Sequence, residues 1–283
     1  MGGEKPFGGP NPPFGAAITY YLKDHGPAKV EVLDASGKLI RDLGTIPQEV
    51  GLNRVMLDLR YQSPRPRRAG GDDGPGDAEG GRGAARGPLV LPGKYQVRLT
   101  AGGKTLTREL EVKIDPTIPV SAAALRSQLD INLKLRDMES SVNDSLRGID
   151  SYKAQISTAQ NTARALDPQG TRTLAALLAE RLQQLGSMEL KLSRPGDIPG
   201  YSMAPRLVDR LNMLLGSIDR VLASPTPYQV EEFTRLRAEF LAAVADVNGF
   251  VEKQIPEIND MLKKSNAGAI MGGKQVEIPA NLR

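Results

Sequence analysis

The spacing of apolar residues changes once along this chain, and that change constrains the fold more than any other feature. Between residues 16 and 114, apolar and polar residues alternate, which is typical of half-buried β-strands. The alternation ends at Asp115-Pro-Thr-Ile-Pro119, and beyond it apolar residues recur every three or four positions, as in amphipathic helices. We therefore expect an α+β protein in which a β-domain precedes a helical domain.

The first part of the chain predicts six or seven short strands. Residues 1–13 contain four Gly and four Pro and are expected to form a flexible linker. Gly102-Gly103 predicts a two-residue hairpin turn, because both central positions of a type I′ turn need a positive φ. Short strands separated by turns indicate an immunoglobulin-like β-sandwich over residues 14–116.

Residues 63–87 interrupt this pattern. Their arginines at positions 65, 67, 68, 82 and 86 nearly balance four acidic residues, and their apolar residues are small. Such a segment cannot offset the entropy cost of ordering, which is about 1–2 kcal/mol per residue for the backbone. We expect a disordered, solvated insert, with an arginine-glycine tether for nucleic acid as the alternative.

The second part predicts a helical domain over residues 119–264. Ser121 is the expected N-cap of a helix that runs to about Leu166. A second helix ends before Arg194-Pro-Gly196, and a third begins near Pro205. The fourth opens at Thr226-Pro-Tyr-Gln229, which has the spacing of a capping box with proline at the first helical position.

These helices, two long and two short, predict an antiparallel bundle. We favour four packed helices, because the Pro and Gly breaks at residues 194–204 readily reverse the chain. The alternative is a three-helix bundle in which the second and third helices lie end to end. Pro256 is expected to kink the last helix. The tail, residues 265–283, contains Gly and lacks an apolar period, so we expect it to be loose.

Composition narrows the possible ligands. The net charge of +4, from 37 basic and 33 acidic residues, lacks the concentrated basic face of a nucleic-acid surface. With no Cys and one His, the chain lacks the usual ligands of a transition-metal site. The apolar runs are shorter than the ~18 residues of a membrane helix. We therefore expect no cofactor, no metal, no nucleic acid and no membrane span.

No catalytic arrangement is evident. His25 lies in Lys23-Asp-His-Gly-Pro27, which indicates an exposed turn rather than a general base. Asp58 is the best carboxylate candidate, but pairing with Arg54 or Arg60, or capping of the adjacent loop, explains it better. The other carboxylates, among them Glu109, Glu111, Asp130, Asp137, Asp144 and Glu180, have the spacing of solvated faces. We assign no catalytic, cofactor-binding or metal-binding residue.

Four motifs occur in the order of a known family: Asn11–Leu22, Gly51–Tyr61, Pro92–Leu99 and Pro256–Leu262. With them, the chain resembles the C-terminal region of bacterial sortilin-like proteins, which are exported BNR-repeat β-propeller proteins often labelled glycosyl hydrolases. Separately, the pattern of Val32–Arg41 resembles the immunoglobulin-like domain of flagellar hook-capping proteins.

The sortilin-like resemblance implies a non-catalytic accessory module without the propeller. It implies a β-propeller domain, in the parent protein or in another protein, as partner. It also implies a periplasmic or extracellular location for the parent, although residues before Pro6 contain no signal peptide. Two alternatives are part of a glycoside hydrolase with its catalytic site in the propeller, and a cytoplasmic helical adaptor.

Overall fold

The computed structural model describes residues 15–67, 86–166, 172–194 and 203–283. They form two compact units. One is a β unit that ends at Ile118, and the other is a helical unit that begins at Pro119 and also includes residues 63–67. The predicted α+β class is confirmed. The predicted linker, residues 1–13, lies outside the described residues.

The β unit contains two antiparallel sheets. Strands β1 and β4 form one, and the other has the order β3-β2-β5-β6. Side chains from both sheets share one apolar core that includes Tyr20, Val32, Val55 and Tyr95. The immunoglobulin-like assignment stays a prediction. The strands are β1 (Ala16–Leu22), β2 (Ala28–Asp34), β3 (Leu39–Asp42), β4 (Gly51–Leu57), β5 (Gly93–Ala101) and β6 (Lys104–Val112).

The predicted hairpin between β5 and β6 is confirmed. Ala101 pairs with Lys104, so Gly102 and Gly103 are the two turn residues, with φ values of 54° and 72°. Both values lie in the left-handed region that a side chain disfavours.

The helical unit has a continuous apolar core. Its long helix α1 presents Met138, Val142, Leu146 and Ile149, all almost fully buried. The helices are α1 (Ala122–Leu166), α2 (Arg172–Leu192), α3 (Leu207–Asp219), α4 (Pro227–Gly249) and α5 (Ile255–Lys264), with a π-helical turn at Phe250–Gln254 and a 3₁₀ turn at Ala280–Leu282.

Both predicted N-caps are present. The amide of Ala124 donates to Ser121 Oγ at 3.1 Å. In the capping box, Gln229 N donates to Thr226 Oγ1 and Thr226 N donates to Gln229 Oε1. At the other end of this last long helix, the π-helical turn precedes Pro256, whose missing N–H prevents a regular α-helical bond there.

The helices form three rods, so the favoured four-helix arrangement is wrong. Along α1, Gln128 bonds to Ile218 of α3, while Gln160 bonds to Ala175 of α2. Helices α2 and α3 therefore cover successive lengths of α1, end to end, and α4 and α5 form the third rod. The predicted lengths, two long and two short, agree if α4 to α5 counts as one helix. The cause is α1 itself: its 45 residues span about 65 Å, which neither short helix could cover alone.

The expectation of a loose tail is also wrong. Ala267, Ile270 and Leu282 are buried in the helical core. The side-chain amide of Asn259 exchanges two hydrogen bonds with the backbone of Ile270, at 2.9 and 2.7 Å. Asn248 does the same with Val276, at 3.0 and 2.8 Å. Two asparagines thus hold an irregular segment against the helices without any apolar period.

The ends of the expected disordered insert are ordered. Tyr61 N donates to Pro88 O at 2.8 Å, and Arg60 donates to Gly87 O at 2.9 Å. At the other end, residues 63–67 bond to α1 and α2 and belong to the helical unit. The prediction for 63–87 is therefore wrong at both ends, and residues 68–85 lie outside the described part of the chain.

Candidate functional site: an arginine-binding groove

Residues Ser63–Arg67, here called the strap, belong to the helical unit although β4 and β5 flank them in sequence. The strap alternates proline with arginine. Proline fixes its own φ and disfavours helical geometry in the preceding residue, so this sequence favours an extended backbone. Pro64 is buried and the side chain of Arg67 is only 24% exposed. The strap is therefore packed against the helices rather than solvated.

One face of α1 bonds to the backbone of the strap. Arg65 N donates to Ser140 Oγ at 3.1 Å, and Asn143 Nδ2 donates to Arg65 O at 2.9 Å. Arg147 donates to the carbonyl of Pro66. The three α1 residues are three and four positions apart, so they share one helix face. These contacts require an extended backbone but no particular side chain.

Arg65 pairs with Asp144 of the same helix. Its Nε donates to Oδ2 at 3.1 Å and its Nη2 donates to the same oxygen at 2.7 Å. Arg147 also donates to Asp144, which places this carboxylate between two guanidinium groups. The hydrogen bonds with Asp144 raise the pKa of Arg65. The side chain is 59% exposed, so this end of the strap faces solvent.

Arg67 is bound by both helices. Its Nε and Nη2 donate to the two oxygens of Asp150, at 2.9 and 2.7 Å, in a fork geometry. Nη2 also donates to Glu189 Oε1 at 2.5 Å, and Nη1 donates to Ser193 Oγ at 3.2 Å. One guanidinium group therefore joins one residue of α1 to two residues at the end of α2 and just beyond it.

Glu189 is the charged centre of this site. Burial would raise its pKa, but hydrogen bonds from Lys153 and Arg67 outweigh burial and lower the pKa below its ordinary value of 4.5. The carboxylate is therefore ionised throughout the neutral range and holds the two cations together. We call the surface that contacts the strap the groove; it consists of Ser140, Asn143, Asp144, Arg147, Asp150, Glu189 and Ser193.

A second polar site lies inside the helical unit. Glu139 on α1 is buried, and Asn212 of α3 donates to its Oε1 at 3.1 Å. Its Oε2 has no hydrogen-bond partner among the described residues, and neither has the buried Oδ1 of Asn132, seven positions earlier. Burial raises the pKa of Glu139 to about 7. A raised carboxyl pKa is what a general acid needs, but this one is enclosed between helices.

Of the residues considered from sequence, Asp144 is the one that belongs to the groove. His25 is 70% exposed in the β1–β2 turn, with Nδ1 3.2 Å from Gln48 O, and it lines an open depression of about 680 Å³. Asp58 Oδ1 accepts from Arg60 N at 3.2 Å, which confirms the loop-capping interpretation, and it lies 3.7 Å from Arg41. Glu109 and Glu111 are exposed and pair with neighbouring lysines.

Sequence reasoning missed the groove because its residues resemble a solvated face. Ser140, Asn143, Arg147 and Asp150 follow a spacing of three and four on α1, which is the pattern of any polar helix face. Glu139 left a clearer signal, since it lies seven positions, or two helical turns, after Asn132, a second polar residue close to the apolar stripe of α1.

Within the described ranges, no group of three or more His, Cys, Asp and Glu side chains is placed to hold a metal ion. None of the described helices is both long and apolar enough to cross a membrane. Comparison with protein-family models, with curated proteins and with solved structures gives no match.

Proposed function

We propose that this chain is a non-catalytic structural and interaction module whose helical unit binds an extended polypeptide segment. The observation that supports it is the strap in its groove. Two helices contact both the backbone and the arginine side chains of a segment up to 126 positions away in sequence. Backbone bonds combined with side-chain pockets are how proteins recognise extended peptides.

The resemblance to sortilin-like proteins suggests in which kind of larger protein this module functions. We place it as an accessory part of an exported sortilin-like propeller protein, with a β-propeller domain of that protein or of another one as partner. The ordered motifs support this proposal, since Gly51–Tyr61 supplies β4 and its following loop while Pro92–Leu99 supplies most of β5. The location of such a parent would be periplasmic or extracellular.

A double-mutant cycle tests the binding role of the helical unit. Arg67→Ala, Asp150→Ala and the double variant are compared by urea unfolding of the full chain. We expect a coupling energy of about 1–2 kcal/mol, because two charge-assisted hydrogen bonds join the groups in a fork geometry and the side chain of Arg67 is only 24% exposed. The matched control is the i,i+4 pair of Lys134 and Asp130, whose carboxylate is 60% exposed, and its expected coupling is below about 0.5 kcal/mol. Equal coupling in both pairs contradicts the proposal.

A co-elution experiment tests the proposed setting. The chain is mixed with a separately purified propeller domain of a bacterial sortilin-like protein and analysed by size-exclusion chromatography. We expect a complex with that propeller and none with an unrelated propeller of similar size and charge. Separate elution from the sortilin-like propeller argues against the accessory role.

A further inference from the structure

We propose that the groove is a binding site for arginine-proline-arginine segments of other proteins, and that the strap is its built-in competitor. This inference rests on the proposed function and names the partner class: an extended segment with arginines two positions apart and a proline between them.

The contacts that define the site are confined to three consecutive residues. Every hydrogen bond described between groove and strap involves Arg65, Pro66 or Arg67. Nothing in these contacts requires that the segment be covalently part of the same chain. A separate peptide with this sequence could make the same bonds, and its prolines would limit the conformational entropy that it loses on binding.

The groove is selective for arginine over lysine. Asp150 accepts from two nitrogens of one guanidinium group, while Glu189 and Ser193 accept at its other edges. A lysine ammonium group is a compact donor and cannot reach these three residues at once. We therefore expect a peptide with lysines in place of both arginines to bind at least about tenfold more weakly.

The strap is positioned to be exchanged. The side chain of Arg65 is 59% exposed and that of Asp150 is 44% exposed, so an incoming segment can approach from solvent. The covalent connection gives the strap an effective concentration of about millimolar, which disfavours a competitor at lower concentration. A partner therefore binds at high local concentration, or when the strap is removed from the groove.

The test uses the full chain with the strap side chains removed, as Arg65→Ala/Arg67→Ala. The probe is a fluorescein-labelled peptide of sequence Ser-Pro-Arg-Pro-Arg with an amidated end, and binding is followed by fluorescence anisotropy. We expect saturable binding to the double variant and at least about tenfold weaker apparent binding to the wild-type chain, whose groove is occupied.

Two further variants separate the groove from general charge attraction. Adding Asp150→Asn to the double variant should weaken binding at least about tenfold, because the fork pair is lost. Adding Asp130→Asn is the matched control, since this exposed carboxylate lies on α1 outside the groove, and it should leave binding unchanged. Circular dichroism verifies that each variant is folded. If the double variant unfolds, Arg67→Gln alone vacates the most enclosed position of the groove and replaces it in the test.

The double variant keeps the backbone bonds of its strap but lacks every arginine side-chain bond to the groove, so a folded double variant that does not bind the peptide overturns the inference. Binding that the lysine peptide reproduces, or that ignores Asp150→Asn, overturns it as well. Dimers of the wild-type chain held together by Arg67 would instead identify a second copy of the strap as the occupant, and would also overturn it. Because the double-mutant cycle needs no added peptide, coupling without peptide binding rejects this inference alone, whereas absent coupling rejects the proposed function.

Discussion

Glu139 has one carboxyl oxygen bonded to Asn212 and the other without a partner among the described residues, inside an apolar helix interface. A carboxyl group in such a place favours its neutral form. The pKa of Glu139 is therefore raised from its ordinary value of 4.5 to about 7 in the folded protein, so the stability of the fold depends on pH between these two values.

We expect Glu139→Gln to stabilise the protein at pH 8 and to change little at pH 4. In the folded state the proton is held up to about pH 7, whereas the unfolded chain releases it near pH 4.5. Stability should thus fall as pH rises through this window, by up to about 3 kcal/mol. Urea unfolding at both pH values measures the effect. The control is Asp130→Asn, which removes an i,i+4 ion pair with an exposed carboxylate and should change stability by less than about 0.5 kcal/mol at both pH values. An equal response of the two variants contradicts the prediction.

Glu189 has the opposite pH dependence. Its folded pKa is lowered, so its contribution is present above pH 4.5 and is lost as pH falls through the folded value. We expect Arg67→Ala to cost about 1–3 kcal/mol at pH 7 and less at an acidic pH below the lowered pKa of Glu189, because a protonated carboxyl group binds the guanidinium weakly. Urea unfolding at the two pH values measures the difference, and a cost that does not depend on pH contradicts it.

At the scale of elements, local chemistry made some features predictable. Three features depend only on residues close together in sequence, so the sequence pattern alone predicts them. They are the turn at Gly102-Gly103, the capping box at Thr226 and the change of apolar period at Asp115–Pro119. The strap, the tail and the end-to-end order of α2 and α3 depend on polar contacts between distant residues. Neither the arginines of the strap nor Asn248 and Asn259 differ in sequence pattern from solvated residues.

Removal of one tail contact should have a measurable cost. Asn259→Ala leaves the backbone of Ile270 without its two hydrogen bonds to the Asn259 side chain, and Ile270 itself is buried. We expect a loss of about 1–3 kcal/mol in urea unfolding. The control is Thr158→Ala, whose exposed hydroxyl donates only to its own helix. A loose tail would make the two variants equivalent.

The middle of α1 should be sensitive to cavity formation. Leu146 is 1% exposed in the core shared by the three rods, so Leu146→Ala should cost about 2–5 kcal/mol. Leu190, 41% exposed on α2, is the control, and its replacement by Ala should cost much less. Unchanged stability with loss of binding to a partner would identify Leu146 as part of an exposed recognition surface instead.

For the whole molecule, we expect no turnover of a panel of aryl glycosides. The acidic side chains considered from sequence are spread over strand faces, turns and helix faces, while a glycosidase needs two carboxyl groups facing each other. The measurement is release of the aryl group by the purified chain. Turnover that Asp58→Asn abolishes while the fold persists would contradict the prediction and assign catalysis to the β unit.

The position of the strap in the sequence determines when it can bind to the groove during synthesis. Arg67 leaves the ribosome 126 residues before Ser193, the most distant of its bonded partners. At about 5–20 residues per second, a nascent strap waits roughly 6–25 s for its complete binding site. During that interval two prolines and two arginines are available to chaperones or to proteases. The strap therefore docks late in synthesis, only after α2 has been made and packed.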